Sequence, residues 1–283
     1  MPSAPPKRFG RIALYGKLRG AEMENSLGEL RDFLRKRGCE VLAEGDTDAD
    51  LAIVVGGDGT MLTAARELVR HNVPLVGINQ GRVGFMTDIG HDDMQTGVGA
   101  ILDGRYSIEE RTLLDAELLR DGKPVLRTLA LNEAVVGKGA QGRLIEFDLR
   151  IDGEYIYTLR ADGMIVATPT GSTAYALSAQ GPILHPAVPA LTLVPLNPHT
   201  LSARPVSISD RSAIEISLVR ALDARAHFDG LALADMAEGD RLLLKRSADV
   251  VRFVHPPGYR YFATLREKLR WSEKPLERRP AAD

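Results

Sequence analysis

Residues Leu51–Val55 (LAIVV) form five consecutive apolar positions, three of them β-branched. Such a run suits a strand buried on both faces, as in the middle of a parallel sheet. It passes directly into Gly56-Gly57-Asp58-Gly59 and then into 60–71. In that last segment Met61, Leu62, Ala64, Ala65, Leu68 and Val69 make one helical stripe. Strand, glycine turn and amphipathic helix in immediate succession point to a βαβ crossover. Ligands of open parallel sheets bind at the carboxyl ends of strands. Glycines there let backbone N–H groups approach phosphate oxygens, and a helix N-terminus adds a favourable dipole. Thr60 is the expected cap of this helix.

The flanking segments repeat the alternation. Arg11–Gly16 and 73–78 (VPLVGI) read as strands, 21–37 and 92–102 as helices, and 39–42 as a short strand. Near Gly104 the pattern changes to short β-type runs separated by turns. Asp121-Gly122 and Asp152-Gly153 are type I′ hairpin signals, since both central residues of that turn need positive φ. Seven prolines between Pro169 and Pro205 exclude regular helix across most of that stretch. The runs LTLVPL, AIEISLV, RLLLKR and VVRFV continue the β theme, and 261–271 reads as a helix. The expected fold is therefore an α/β domain with a parallel sheet over 1–104, then a mainly antiparallel β domain over 105–258. The tail, 259–283, is expected to return a helix to the first domain.

Composition excludes several function classes. The 283 residues carry 36 Lys+Arg against 38 Asp+Glu, a net −2, so no chain-wide basic surface exists for nucleic acid. No apolar run reaches the ~18 residues of a membrane span, and MPSAPPKRFG has no apolar h-region of a signal peptide. The single cysteine, Cys39, fits a reducing compartment, so a cytoplasmic location is expected. The six histidines are scattered and form no zinc-type cluster with Cys.

The glycine loop fits neither common nucleotide fingerprint. Walker A (G-x-x-x-x-G-K-[ST]) is missing, and a G-x-G-x-x-G reading starting at Gly57 ends on Leu62. The next strand ends in Asn79-Gln80, where a ribose-binding acid would stand in a Rossmann unit. An aspartate inside a phosphate loop repels phosphate, unless it accepts a proton or faces a metal.

Gly56-Gly57-Asp58-Gly59-Thr60-Met61-Leu62 resembles the signature of the NAD kinases and of their lipid-kinase relatives. Three further segments favour the former: Leu131-Asn132-Glu133, Arg160-Ala161-Asp162-Gly163, and Thr168–Ser178 (TPTGSTAYALS) followed by Gly181-Pro182. Residues 198–205 (PHTLSARP) resemble a stretch of bacterial members. The resemblance spans about Gly10 to Trp271.

It implies transfer of the γ-phosphoryl of ATP, with Mg²⁺, to the 2′-hydroxyl of the adenosine ribose of NAD, giving NADP. Asp58 would take the hydroxyl proton, with the Gly59 backbone against the ligand. Asn132 and Glu133 would hold the adenine and ribose side, and Asp162 a ribose hydroxyl. Thr173, Ala174, Tyr175, Ala176, Leu177 and Ser178 would line the dinucleotide pocket. Arg143 matches an NAD-contacting position, and Arg160 one associated with preference for NAD over NADH. Phe85 matches an aromatic beside the adenine pocket. Asp229 opens a segment, Asp229-Gly230-Leu231, in which many bacterial members place a glutamine where Leu231 stands. Gln80 and Arg82 also depart from the common pattern. Family members assemble as dimers or tetramers, so a homo-oligomer is expected. Two alternatives remain: a lipid kinase sharing the glycine loop, and a non-catalytic dinucleotide sensor.

Overall fold

The structure, a computed structural model, describes residues 9–16, 21–80, 84–140, 143–230 and 232–271. The first part alternates as its apolar periodicity requires: β1 (Arg11–Gly16), α1 (Ala21–Lys36), β2 (Glu40–Leu42), β3 (Leu51–Val55), α2 (Asp58–Leu68), β4 (Leu75–Asn79), β5 (Ile89–Gly90) and α3 (Met94–Leu102). All five strands pair in parallel, and β3 and β4 are buried at every position. Leu30 and Leu34 of α1 and Val98 of α3 cover one face of this sheet. Met61, Ala65 and Leu68 of α2 cover the other.

The helix after the glycine loop begins two residues earlier than expected. Its N-cap is Gly57, in extended conformation and without a side-chain cap bond, so Thr60 lies inside the first turn and does not cap it. Asp58, at the first helical position, is engaged elsewhere, as described below.

The second part is antiparallel. It comprises β6 (Ser107–Arg120), β7 (Lys123–Ala130), β8 (Glu133–Lys138), β9 (Ile145–Ile151), β10 (Glu154–Ala161), β11 (Gly163–Ala167), the single turn α4 (Tyr175–Ser178), β12 (Ala190–Leu196), β13 (Val206–Ser209), β14 (Ile214–Arg220), β15 (Ala224–Phe228), β16 (Ala232–Met236) and β17 (Arg241–His255), before α5 (Tyr261–Lys268). The two aspartyl-glycine turns have the positive φ that type I′ requires: Asp121 50° and Gly122 73°, Asp152 53° and Gly153 82°. Pro195 is tolerated inside β12 because β13 pairs only with Ala190–Leu193, leaving the proline nitrogen beyond that ladder.

The strands form two sheets. One runs β13-β12-β11-β8-β15-β16. The other runs β10-β9-β14-β17-β4-β3-β1-β2, with β6 and β7 alongside β17. Phe147, Met164, Phe228 and Leu244 pack between them in the largest core cluster. The two parts do not have separate sheets, as the change of pattern at Gly104 suggests. β17 lies antiparallel to β6 over most of its length, and its Phe253 then pairs in parallel with Leu75 of β4. One strand thus carries hydrogen bonding from the β half into the α/β half. In α5, Tyr261 and Phe262 pack their rings on His185, and the Tyr261 hydroxyl donates to Leu184 O at 3.3 Å.

A shared strand should couple the two halves in unfolding. Leu244→Ala removes a side chain that is 1% exposed and should cost about 2–5 kcal/mol. The expected result is a lower urea midpoint with a single transition by circular dichroism. Two separated transitions would show that β17 does not bind the halves into one cooperative unit.

Candidate active site

Asp58 follows the carboxyl end of β3. Its carboxylate accepts the Phe85 N–H at 3.1 Å and the Met86 N–H at 3.0 Å. The turn that supplies them is closed by Thr87, whose hydroxyl accepts the Gly84 N–H at 2.8 Å. A Cβ at Gly84 would fall 2.1 Å from Asp58 Oδ1, so only glycine permits this approach. Each carboxylate oxygen offers two lone pairs. One on each is used by the turn, which orients the group and leaves an acceptor site on each oxygen. Beside it, a Cβ on Gly57 or Gly59 would meet nothing within 4 Å, so the loop faces open space. Phe85 is half-buried and contributes its backbone to Asp58.

The Leu131–Glu133 segment joins β7 to β8. Leu131 packs in the cluster beneath α2, with Met61, Leu62 and Ala65. Arg66 of α2 reinforces this docking, donating to Thr128 Oγ1 at 3.0 Å and Phe228 O at 3.4 Å. Asp229, just beyond β15, accepts three successive backbone N–H groups: Leu131 at 2.8 Å, Asn132 at 2.7 Å and Glu133 at 3.0 Å. It does so with φ of 54°, in the left-handed region. Asp229 is thus a buried clamp that shapes the segment, a structural part that motif matching does not reveal. Asn132 Oδ1 and Glu133 Oε2 are buried without a hydrogen-bond partner among the described residues. Unpaired buried oxygens of this kind call for a ligand or ordered water.

The TPTGSTAY loop closes over this segment. Thr168 donates twice to this segment: its N–H to Asn132 O at 2.9 Å and its hydroxyl to Leu131 O at 2.5 Å. Gly171 lies so close that a Cβ would stand 2.1 Å from Asn132 O. Ala176 is buried against Val135, Ile165, Ala167 and Val194, so its side chain supports the loop from the core side. Tyr175 is 47% exposed, and with Leu196 and Asn197 it borders two cavities of about 840 and 370 Å³. Ser178 lines the larger; Asp162, Lys138 and His227 line the smaller. Thr173 and Ala174 are half-buried at the start of this turn, and Leu177 is half-buried within it.

Asp162 is held by Lys138 Nζ at 2.7 Å and Asn197 Nδ2 at 2.8 Å. These partners, Lys138 first, keep its carboxyl below the usual range. Arg160 is exposed, 4.0 Å from Glu146, and its carbonyl accepts the His199 N–H at 2.9 Å. Arg143 is exposed just ahead of β9. Neither arginine side chain joins the Asn132–Asp229 cluster among the described residues. Leu231 and Arg82 lie outside the described residues. Lys138, Asn197, Gly84 and Met86 are the participants that sequence reasoning missed. Gly84 and Met86 flank the residue singled out in GRVGFMTD, and Asn197 immediately precedes PHTLSARP. A further cavity of about 600 Å³ holds none of the motif residues, and its wall pairs opposite charges such as Arg127 and Glu117.

Burial pushes the Glu133 carboxyl up to about 7, helped by the nearby Asp229 charge. Burial also raises Asp229, but three N–H donors and Arg66 act against that rise. Among the described residues Glu133 has only the Tyr175 N–H to stabilise its charge. The proton this pair takes up is therefore assigned to Glu133, the less stabilised of the two. A carboxyl raised on folding stabilises the protein fully below its ordinary value of 4.5, and that contribution is lost as pH rises through about 7. Glu133→Gln should therefore gain thermal stability relative to the parent between pH 5 and pH 8. A constant difference in Tm across that range would contradict the assignment. Asp229→Ala, which orphans three buried N–H groups, should cost about 2–4 kcal/mol in urea unfolding. A loss under about 1 kcal/mol would show that the clamp is dispensable.

Comparison with known proteins agrees with this fold. Residues 22–106 match the ATP-NAD kinase N-terminal domain, and residues 131–256 match the ATP-NAD kinase C-terminal domain. NAD kinase from Aromatoleum aromaticum is 55% identical, covering 97% of each chain. That from Azoarcus sp. is 52% identical over 94% of this chain and 98% of its own. Among solved structures, an NAD kinase from Archaeoglobus fulgidus in complex with ATP superposes with a TM-score of 0.78 at 28% identity, over 92% of this chain and 98% of that one. Yeast NADH kinase complexed with NADH shares the fold, with a TM-score of 0.85 at 22% identity over 95% and 90% of the two chains. The chain with its glycine loop, its clamped Asn132-Glu133 segment and its TPTGSTAY loop belongs to the NAD kinase family.

Proposed function

We propose that this protein transfers the γ-phosphoryl group of ATP to the 2′-hydroxyl of the adenosine ribose of NAD, giving NADP. Two observations carry the reading: the Asp58 carboxylate, oriented by two backbone N–H groups in a loop whose glycines face open space, and the buried, unpaired oxygens of Asn132 and Glu133. Identity of 52–55% with NAD kinases over nearly the whole chain supports the same reaction.

Each group has a chemical task. The Asn132 amide reads an adenine edge, and Glu133 exchanges a hydrogen bond with a ribose hydroxyl. With its proton present near neutral pH, Glu133 donates as well as accepts. Asp162, steadied by Lys138 and Asn197, accepts from a second ribose hydroxyl. Tyr175 offers an exposed ring face to the dinucleotide. Asp58 aligns the 2′-hydroxyl and takes its proton as the oxygen bonds to phosphorus. In the same step the bond from the γ-phosphorus to the bridging oxygen breaks, and ADP leaves with that electron pair. Phosphoryl transfer through a loose transition state depends mainly on positioning and charge. Orientation of the hydroxyl by the fixed Asp58 carboxylate is then as important as its basicity.

No group of three or more His, Cys, Asp or Glu side chains suited to a metal occurs among the described residues. In this reading Mg²⁺ arrives with ATP as part of the substrate and neutralises charge on its phosphates. The α/β half, about 1–104, brings Asp58, and the β half, about 105–258, brings the dinucleotide contacts, with 259–283 as an appended tail. The protein works in the cytoplasm as a homo-oligomer. No helix among the described residues is long and apolar enough to cross a membrane.

The test is to incubate purified protein with ATP, Mg²⁺ and NAD and to measure NADP with an NADP-specific dehydrogenase. NADP formation is expected, whereas phosphorylation of a diacylglycerol or sphingoid base instead would overturn the reading. Asp58→Asn should lower kcat by about 10²–10⁴-fold with little change in NAD affinity. Equal turnover in that variant would remove Asp58 from the proton-accepting role.

A further inference from the structure

A row of buried charged groups crosses the seam between the two halves and takes no part in the reaction described above. His255, at the end of β17, is 3% exposed. Its Nδ1 meets Asp88 Oδ2 at 2.5 Å, and its Nε2 lies 3.5 Å from Glu109 Oε2 on β6. Glu109 pairs closely with Arg111, which is also 3% exposed. The Arg111 Nη1 donates to Thr170 Oγ1 at 3.3 Å, and its guanidinium lies 5.4 Å from the centre of the Phe253 ring. Tyr259 stacks on His255 with ring centres 3.8 Å apart.

The two ends of this row are informative. Asp88 directly follows the 84–87 turn whose N–H groups hold Asp58. Thr170 belongs to the loop that carries Thr173–Ser178 and closes over Asn132. Charges alternate along the row as Asp88, His255, Glu109 and Arg111. Burial alone would lower the His255 pKa, but the hydrogen bond to Asp88 and the nearby Glu109 carboxylate outweigh it and raise it. Burial likewise opposes ionisation of Glu109, and His255 and Arg111 prevail. Buried ion pairs are weak contributors to stability, because desolvation offsets their attraction. They do fix geometry, since each charge has one acceptable place.

We propose that Asp88, His255, Glu109 and Arg111 are positioning residues that set the distance between the Asp58 turn and the Thr168–Ser178 loop. This rests on the reading that Asp58 and that loop act on the same NAD molecule. A small misplacement of reacting groups can cost about 100-fold in rate, so the row should act on kcat more than on NAD binding.

The test compares full-length variants in the NADP-forming assay. Glu109→Gln combined with Arg111→Met removes both charges and leaves neither buried alone. Thr170→Val removes only the hydroxyl at the end of the row, and Thr170→Ser keeps it. We expect kcat to fall about 10–100-fold in the double variant and at least about 5-fold in Thr170→Val. KM for NAD should stay within about 3-fold of the parent, and Thr170→Ser should recover most of the turnover. His255→Gln added to the double variant should cause little further loss, because members of one unit are not additive. Folded Thr170→Val with kcat within about 3-fold of the parent, or a loss confined to KM, would overturn the proposal. If the double variant does not fold, the Thr170 pair decides alone. A parent protein that makes no NADP would instead remove the reading beneath the proposal, and the two failures are distinguishable.

Discussion

The 15-residue strand β17 is paired with β6 along its length and with β4 at its end. An edge strand of the parallel sheet would expose a row of unpaired N–H and C=O groups beside β4. β17 meets that edge at Leu75, while β5 pairs with it at Ile78 and Asn79, and the β17 contact ties the β half to the α/β half. Everything in the candidate site depends on that relation. Asp58 comes from one half, and Asn132, Glu133, Asp162 and Tyr175 come from the other. Arg66 adds a second tie, from α2 to the ends of β7 and β15.

One carboxylate does structural work that frees its neighbour for chemistry. Asp229 spends its lone pairs on three backbone N–H groups and so shapes the Leu131–Glu133 segment. Glu133, beside it, is left with a raised pKa and an unpaired oxygen. Asp58 follows a related logic, since two backbone N–H groups orient it without exhausting its acceptor capacity. In each case a backbone turn sets the direction of a carboxylate, and the turn exists because a glycine or a left-handed residue allows it.

The local elements were legible in the sequence for physical reasons. LAIVV is too apolar for anything but a doubly buried strand, and Asp121-Gly122 and Asp152-Gly153 have few alternatives to a type I′ turn. The motif residues Asp58, Asn132, Asp162 and Tyr175 were legible because the segments bearing them recur in a known family. Long-range facts were not. Nothing in VVRFV announces that it pairs with both β6 and β4, because a strand pattern carries no partner label. The true helix start at Asp58 was obscured by Thr60, a better capping residue by composition than Gly57. The three backbone bonds of Asp229 become visible only when β15 is placed beside β8. The row from Asp88 to Thr170 joins residues scattered over the chain, and each of its charged members looks like an ordinary surface charge on its own.

The central claim is that one NAD molecule is held at the seam, with its adenosine ribose between Asp58 and the Asn132–Glu133 segment. A crystal structure of the protein with NAD tests it most directly. The account predicts the ribose 2′-hydroxyl within hydrogen-bond distance of the Asp58 carboxylate, and the buried oxygens of Asn132 and Glu133 paired with the adenosine. NAD bound away from the seam, with Asn132 and Glu133 still unpaired, would contradict it.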